Sequence, residues 1–476
     1  MPLTAGAATS SGGPSFAASP TASADAADAL AARGVAAHRR GDIDAAERDY
    51  RAALAIARDQ PLALHYLGVV LYQRQRLPDA LALLERAVTH TPRDPEVHNN
   101  LGLALAAADR TDEAIASYRR ALHVHRNHAA AWNNMGLALQ AGNDVDGAIA
   151  AFRAAIARSP GFAQAHWNLS LALLLAGHYA EGWREYEWRM AAGTFGSSTV
   201  STAPRWDGGD LHGRTLLLTT EQGLGDALQF IRFAQPLAAR GARVIVHTGA
   251  ALAGVLATAP GVAQIVAAGA PLPAHDFQAP LLSVPGALGI TEPTIPRDVP
   301  YLAGGRRLLD DDITATAREV AGAAGALCVG LSWAGNPAHA NDRRRSCPLA
   351  TLAPLLELPN VAFFSLQKGD GEDQIAELPN ASRIALLPAR NDFGDKAALM
   401  QRLDLVLSVD TSNAHLAGAL GRPLWLLLPF APDWRWGRTR TDSPWYPTAR
   451  LYRQPRPGDW TSVIAEVRAA LVARAG

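Results

Sequence analysis

The chain has 476 residues, and its 44 basic and 44 acidic side chains leave a formal charge of zero. A length of this order calls for two or three domains, and without a basic excess or stripe nothing in the charge favours nucleic acid as a partner. The only cysteines, Cys328 and Cys347, are too few for a disulfide framework or a zinc-ligand cluster.

Residues 1–25 are almost wholly Ala, Ser, Gly, Thr and Pro. They read as a flexible leader and not as a signal peptide, because a basic n-region and an unbroken apolar h-region are missing. No apolar run reaches the roughly 18–20 residues that span a bilayer. The expectation is a cytoplasmic protein with no membrane span.

From 26 to 195 the chain repeats itself. Gly34, Gly68, Gly102 and Gly136 stand 34 residues apart, with Ser170 in the fifth place. The same step links Ala46, Ala80, Ala114, Ala148 and Gly182, then Tyr50, Leu84, Tyr118, Phe152 and Tyr186, then Ala53, Ala87, Ala121 and Ala155. Small residues let two helices approach, the large one fills the gap between them, and the last alanine packs on the next repeat. Period and pattern are those of a tetratricopeptide solenoid. Pro92 and Pro160 end second helices, where Arg58 and Arg126 stand in repeats one and three. Asn100, Asn134 and Asn168 share one register, with Tyr66 in that place in repeat two. Each amide offers both donor and acceptor, so the ladder can hold an extended peptide backbone; the plain alternative is a residue common at that repeat position. Trp183, Tyr186 and Trp188 give the following helix a face suited to capping the solenoid, and 192–204 reads as a connector.

Beyond Arg214 the 3.6-residue period gives way to short apolar runs alternating with helical stretches. Segments 215–219, 243–247 and 264–268 read as strands, with a glycine turn at 222–225 and a helix over 226–239. Further strands are expected at 328–333, 361–366, 383–387, 405–409 and 424–428, closed by a helix over 459–475. The fold class is therefore an α-solenoid followed by α/β. Two Rossmann-like domains, 196–305 and 306–476, place a ligand at the carboxyl ends of their strands.

Three stretches carry candidate chemistry. In Glu221-Gln222-Gly223-Leu224-Gly225-Asp226 a strand runs through Gly-x-Gly into a helix. Gly223 and Gly225 leave backbone N–H groups, and Asp226 a carboxylate, at the cleft mouth. The alternative is a structural turn with Asp226 serving the helix dipole. In Ser408-Val409-Asp410-Thr411-Ser412-Asn413-Ala414-His415 a strand delivers Asp410, and a helix opens with Thr411, Ser412 and Asn413, an anion site suited to a diphosphate. Its alternative is an ordinary N-cap with His415 packed behind. Arg343, Arg344 and Arg345 follow one strand and Lys368 another; they can neutralise phosphate without metal, or are solvated surface. Asp310, Asp311 and Asp312 read as helix-start carboxylates, not metal ligands. Trp434, Trp436, Trp445 and Tyr446, with Arg435, Arg438 and Arg440, either stack a base or sugar ring or plug apolar space.

The turn ending at Asp226, and the Asp410–His415 stretch with Leu416-Ala417 and Gly421-Arg422-Pro423 after it, resemble the ADP-heptose:lipopolysaccharide heptosyltransferases, glycosyltransferase family 9. The order of repeats and then transferase is similar to that of the protein O-linked N-acetylglucosamine transferases, whose repeats also carry an asparagine ladder. The resemblance implies a GT-B arrangement, a catalytic base at Asp226, and a sugar-nucleotide site at Asp410, Thr411 and His415. The chain departs from the family at Ser412, where glycine usually follows the threonine. It departs again in the loop of Arg343 and Arg345, where the family uses a lysine on the phosphates.

The expected activity is a metal-independent, inverting glycosyl transfer from a nucleotide-sugar co-substrate, with no further cofactor. Asp226 deprotonates an acceptor hydroxyl, and the helix start at Thr411–Asn413, with an arginine or Lys368, holds the diphosphate. The repeats present the acceptor, a protein or peptide. Two rivals stand beside this reading: a non-catalytic scaffold with a degenerate transferase domain, and transfer to a glycan or lipid.

Overall fold

In the computed structural model residues 20–193, 201–304, 325–339, 341–386 and 393–475 are described. Asp310–Asp312, most of the leader and part of the 192–204 connector lie outside them. The chain packs into two compact units, residues 1–138 and 139–476.

Helices α1 (Pro20–Arg39), α2 (Ile43–Ile56), α3 (Pro61–Gln73), α4 (Leu77–His90), α5 (Pro95–Ala107) and α6 (Thr111–Val124) belong to the first unit. They are followed by α7 (Ala129–Ala141), α8 (Val145–Arg158), α9 (Ala163–Leu175) and α10 (Tyr179–Tyr186). The small residues act as their spacing predicts. A Cβ on Gly34 would stand 2.5 Å from the Tyr50 ring, one on Gly68 2.7 Å from Leu84, and one on Gly102 2.5 Å from Tyr118.

A second period of 34 emerges only from the backbone. Gly41, Gln75, Asp109, Asn143 and Gly177 all occupy the left-handed region, with φ between 60 and 83. Each reverses the chain between two helices of a repeat. Glycine adopts that conformation freely, and Asn and Asp tolerate it. Sequence reading missed the pattern because the residue type changes while the geometry does not.

The α/β region holds two all-parallel sheets. The first has β1 (Thr215–Thr219), β2 (Arg243–Thr248), β3 (Val262–Ala267) and β4 (Phe277–Pro280) in the order β3-β2-β1-β4. The second has β5 (Leu327–Ser332), β6 (Val361–Ser365), β7 (Ile384–Ala385), β8 (Leu405–Val409), β9 (Leu424–Leu428) and β10 (Ala449–Arg453) in the order β10-β9-β8-β5-β6-β7. The helix expected over 226–239 is broken. It begins as α11 (Leu224–Phe230), tightens to a 3-10 turn over Ile231–Phe233 and resumes over Ala234–Ala239. Pro236 has no N–H to continue the ladder, which accounts for the break. The closing helix runs over Trp460–Ala475. No helix among the described residues is long and apolar enough to cross a membrane.

Candidate functional site

β1 is fully buried through Leu216, Leu217 and Leu218 before it opens into the glycine turn. The left-handed residue of that turn is Gln222, at φ 49, and neither glycine. Gly223 is extended, at φ −79 and ψ 160, and stands at the N-cap of α11. Glycine has no side chain with which to cap, so Asp226 reaches back and its Oδ2 accepts from the Gly223 N–H at 2.9 Å. Gly225 serves a close approach. A Cβ there would lie 2.6 Å from the His415 ring and 3.5 Å from Ser412 Cα. The first turns of α11 and of the Ser412–Ala419 helix are therefore in contact.

Arg435 joins them. Its side chain is 8% exposed, and its Nη2 donates to Asp226 Oδ1, 209 residues away in sequence. Nη1 donates to Asp433 Oδ1 at 2.9 Å and Nε to Gln229 Oε1 at 2.6 Å, while the guanidinium lies 4.4 Å over the Trp434 ring. Burial raises the Asp226 carboxyl above the ordinary aspartate range, although Arg435 and the Gly223 N–H oppose the rise. Asp410, at the end of β8, is raised to about 6 by burial and by Asp433. His415 Nε2 lies 3.9 Å from Asp410 Oδ1 and its Nδ1 2.9 Å from the Tyr446 hydroxyl, with the ring stacked on Trp436 at 5.5 Å. Burial, then Arg435, hold His415 well below the usual imidazole range, so the ring is neutral at pH 7. One guanidinium thus pairs with Asp226 and Asp433, and its charge also acts on Asp410 and on the neutral imidazole of His415.

The remaining expected site residues divide. Thr411 is the N-cap of the Ser412–Ala419 helix, yet its side chain makes no capping bond. Its Oγ1 lies 3.3 Å from Ser408 Oγ and 3.5 Å from Ser332 Oγ. Asn413 turns inward: its amide donates to Ser332 Oγ and the Leu366 carbonyl, each at 3.0 Å, and accepts from Lys396 Nζ at 3.4 Å. It stitches the ends of β5 and β6. Arg345 donates to Asp342 Oδ1 at 3.2 Å, and its charge opposes the rise at Asp410. Arg343 and Lys368 are exposed. Beside Lys368, Gln367 braces the loop after β5, accepting from the N–H groups of Trp333 and Ala334 at 3.2 Å each and donating to Ala334 O at 3.0 Å. Among the described residues no three His, Cys, Asp or Glu side chains are grouped to hold a metal.

The asparagine ladder is partly engaged within the repeats. Asn100 Nδ2 donates to His65 Nε2 at 2.7 Å, and Asn134 Nδ2 to Asn99 Oδ1 at 3.0 Å. Asn168 is buried and accepts from Gln164 Nε2 at 3.0 Å.

Sequence reasoning noticed Arg435 only as part of an aromatic, basic stretch. Trp434, Trp436, Trp445 and Tyr446 are all buried there, so the stretch is an apolar plug with a cation inside it. An arginine between two tryptophans was the available signal, because a buried guanidinium needs hydrogen-bond acceptors, often carboxylates.

Residues 352–429 match glycosyltransferase family 9 (heptosyltransferase), a span that includes Asp410 and His415 but not Asp226. Residues 65–134 and 133–186 match the tetratricopeptide repeat family. The chain is 28% identical over 340 residues to Protein FlbA of Caulobacter vibrioides (strain ATCC 19089 / CIP 103742 / CB 15), which covers 63% of this chain and 53% of FlbA. It thus spans about half the length of that curated relative. Among solved structures it is similar to PilF of Pseudomonas aeruginosa, at 21% identity and TM-score 0.34, covering 37% of this chain and 79% of that one. MamA from Desulfovibrio magneticus RS-1 is similar at 16% identity and TM-score 0.33, covering 36% and 96%. The chain combines a tetratricopeptide solenoid with a parallel-sheet region that carries a glycosyltransferase family 9 match.

Proposed function

We propose that the chain is a metal-independent, inverting glycosyltransferase whose two parallel-sheet domains take up a GT-B arrangement. The observation that carries this reading is the pairing of Asp226 with Arg435 in the first turn of the helix after β1, where Gly225 meets His415, itself 3.9 Å from Asp410 at the end of β8. Helix-start N–H groups favour the diphosphate of a nucleotide sugar, and the uncapped start at Thr411 leaves such groups for it. Asp226 accepts the proton of an acceptor hydroxyl as that oxygen attacks the anomeric carbon. The bond from that carbon to the phosphate oxygen breaks on the opposite face, and the diphosphate departs with the electron pair. Each Asp226 oxygen holds one hydrogen bond, which leaves a lone pair for the proton. Arg345 is the cation we assign to the leaving group, and neutral His415 packs the two helix starts together. The acceptor is a protein hydroxyl presented by the repeats, with Asn100 and Asn134 contacting the peptide, and the reaction is cytoplasmic.

Asp226→Asn tests this directly. Turnover should fall about 10²–10⁴-fold, while thermal stabilisation by the nucleotide sugar is retained. Full activity in that variant overturns the role of Asp226. A second reading, the non-catalytic scaffold, draws on the ion pair that already occupies Asp226 and on Ser412, which puts a side chain at the helix start proposed for the diphosphate. Failure of every nucleotide sugar to stabilise the chain would select it.

A further inference from the structure

α10 continues into a 3-10 turn, Glu187–Arg189, whose last residue is fully buried. The Arg189 guanidinium donates four hydrogen bonds, to a carbonyl, two carboxylates and a hydroxyl. Nη1 donates to the Tyr186 carbonyl at 3.2 Å and to Glu187 Oε1 at 3.0 Å, and Nη2 donates to Glu221 Oε1 at 2.6 Å and Ser283 Oγ at 2.7 Å. Glu221 opens the turn that ends at Asp226, and its neighbour Gln222 carries the left-handed backbone. The turn is clamped at one end by Arg189 on Glu221 and at the other by Asp226 on the Gly223 N–H. Between the clamps lies a conformation costing roughly 1–2 kcal/mol for a residue with a side chain.

The helix before the 3-10 turn, α10, also reaches the loop of Trp434 and Arg435. Trp183 donates to the Ile290 carbonyl at 2.9 Å and meets the Trp434 ring edge-on at 5.4 Å, next to Arg435. The short second helix of the last repeat, with the 3-10 turn that continues it, therefore touches both the turn that carries Asp226 and the loop that carries its cation.

We propose that Arg189 is a positioning residue for Asp226, through which the end of the solenoid holds the catalytic turn in shape; the catalytic part of this rests on the transferase reading above. A pair retained for stability alone would be a poor choice here. Burial outweighs Arg189 at Glu221, whose carboxyl stays above its ordinary range, and Arg189 Nε is buried without a hydrogen-bond partner. Buried ion pairs of this kind are commonly matched or exceeded in stability by apolar replacements, so what the pair supplies is geometry.

The test uses the full chain with Arg189→Met, Arg189→Lys and the near-isosteric Glu221→Gln. Amide exchange across Gln222–Asp226 should rise about tenfold in Arg189→Met and Glu221→Gln. In both, kcat should fall about 10–100-fold with the donor KM within about twofold, and Arg189→Lys should recover part of each effect. A lowered melting temperature with unchanged exchange in the turn would overturn the proposal, as would raised exchange with unchanged kcat. If the unmodified chain turns over no nucleotide sugar, the transferase reading falls, and the exchange measurement alone decides whether Arg189 holds the turn.

Discussion

Arginines are used in opposite ways by the repeats and by the candidate site. In the repeats Arg51 reaches Glu47 at 2.6 Å and Arg153 reaches Glu181 at 2.7 Å, with 52% and 54% of the side chains exposed. Exposed pairs of this kind contribute about 0–1 kcal/mol and are screened by salt. At the site Arg189, Arg232 and Arg435 are 0%, 4% and 7% exposed. Arg232 donates to the Trp445 carbonyl at 2.6 Å and the Tyr301 hydroxyl at 2.8 Å and lies 4.5 Å over the Tyr301 ring. The repeats take their stability from small residues meeting large ones, and their surface charges are dispensable. The site buries charge at a cost in stability and gains fixed directions for its carboxylates.

The contrast is broken most readily at Arg435. Arg435→Met leaves Asp226 and Asp433 facing each other without a cation, and removing one partner of a buried ion pair costs about 3–5 kcal/mol. Of the eleven tryptophans, ten lie within residues 139–476, so urea unfolding followed by tryptophan fluorescence reports on this unit. A loss below about 1 kcal/mol would put Arg435 in the same class as the surface arginines of the repeats.

Asp410 sharpens the same point through pH. Its folded value of about 6 stands above the roughly 3.9 of an unfolded aspartate. Between those values the folded state binds the extra proton, so stability falls as pH rises, and the full cost is present above about 6. Asp410→Asn should therefore stabilise the chain at pH 7 by on the order of 1–3 kcal/mol and by almost nothing near pH 4. Equal effects at both pH values would remove burial of this charge as the cause.

How much of this was legible in the chain follows from the range of the contacts involved. The repeats pack at a fixed step, so Gly34 and Tyr50 announce their contact by recurring. β1, β8 and β9 are buried on both faces and coincide with the apolar runs read from the residues. β4 ends in proline and carries Gln278, while β10 exposes Arg450, so neither gives such a run. Asp226, Asp410 and His415 stand at strand-to-helix junctions, which have a local signature. Arg435 reaches Asp226 across 209 residues, and nothing local encodes that pairing. Asn413 shows the other limit. Successive helical residues differ by about 100° in direction, and the chain does not say which of Thr411, Ser412 and Asn413 turns toward the sheet.

The repeats make smaller predictions. Gly41 is left-handed at φ 81, and a Cβ there would meet nothing within 4 Å. Gly41→Ala isolates the backbone cost of the reversal, about 1 kcal/mol, read by far-UV circular dichroism of the urea transition. No loss would mean that this position relaxes, and that the second 34-residue period is a habit of the turn without energetic weight.

Arg51→Gln should have the smallest effect. Glu47 precedes Arg51 by one helical turn, the favourable order for such a pair, and the interaction is worth about 0.2–0.5 kcal/mol. Glu47 also has Arg74 at 2.8 Å, so removing Arg51 does not strand the carboxylate. The urea midpoint should shift barely, and the difference from the unmodified chain should vanish in about 1 M salt, where the screening length is about 3 Å. A loss comparable to that of Arg435→Met, persisting in salt, would mean that the repeats too depend on desolvated charge, and the contrast between the two regions would fail.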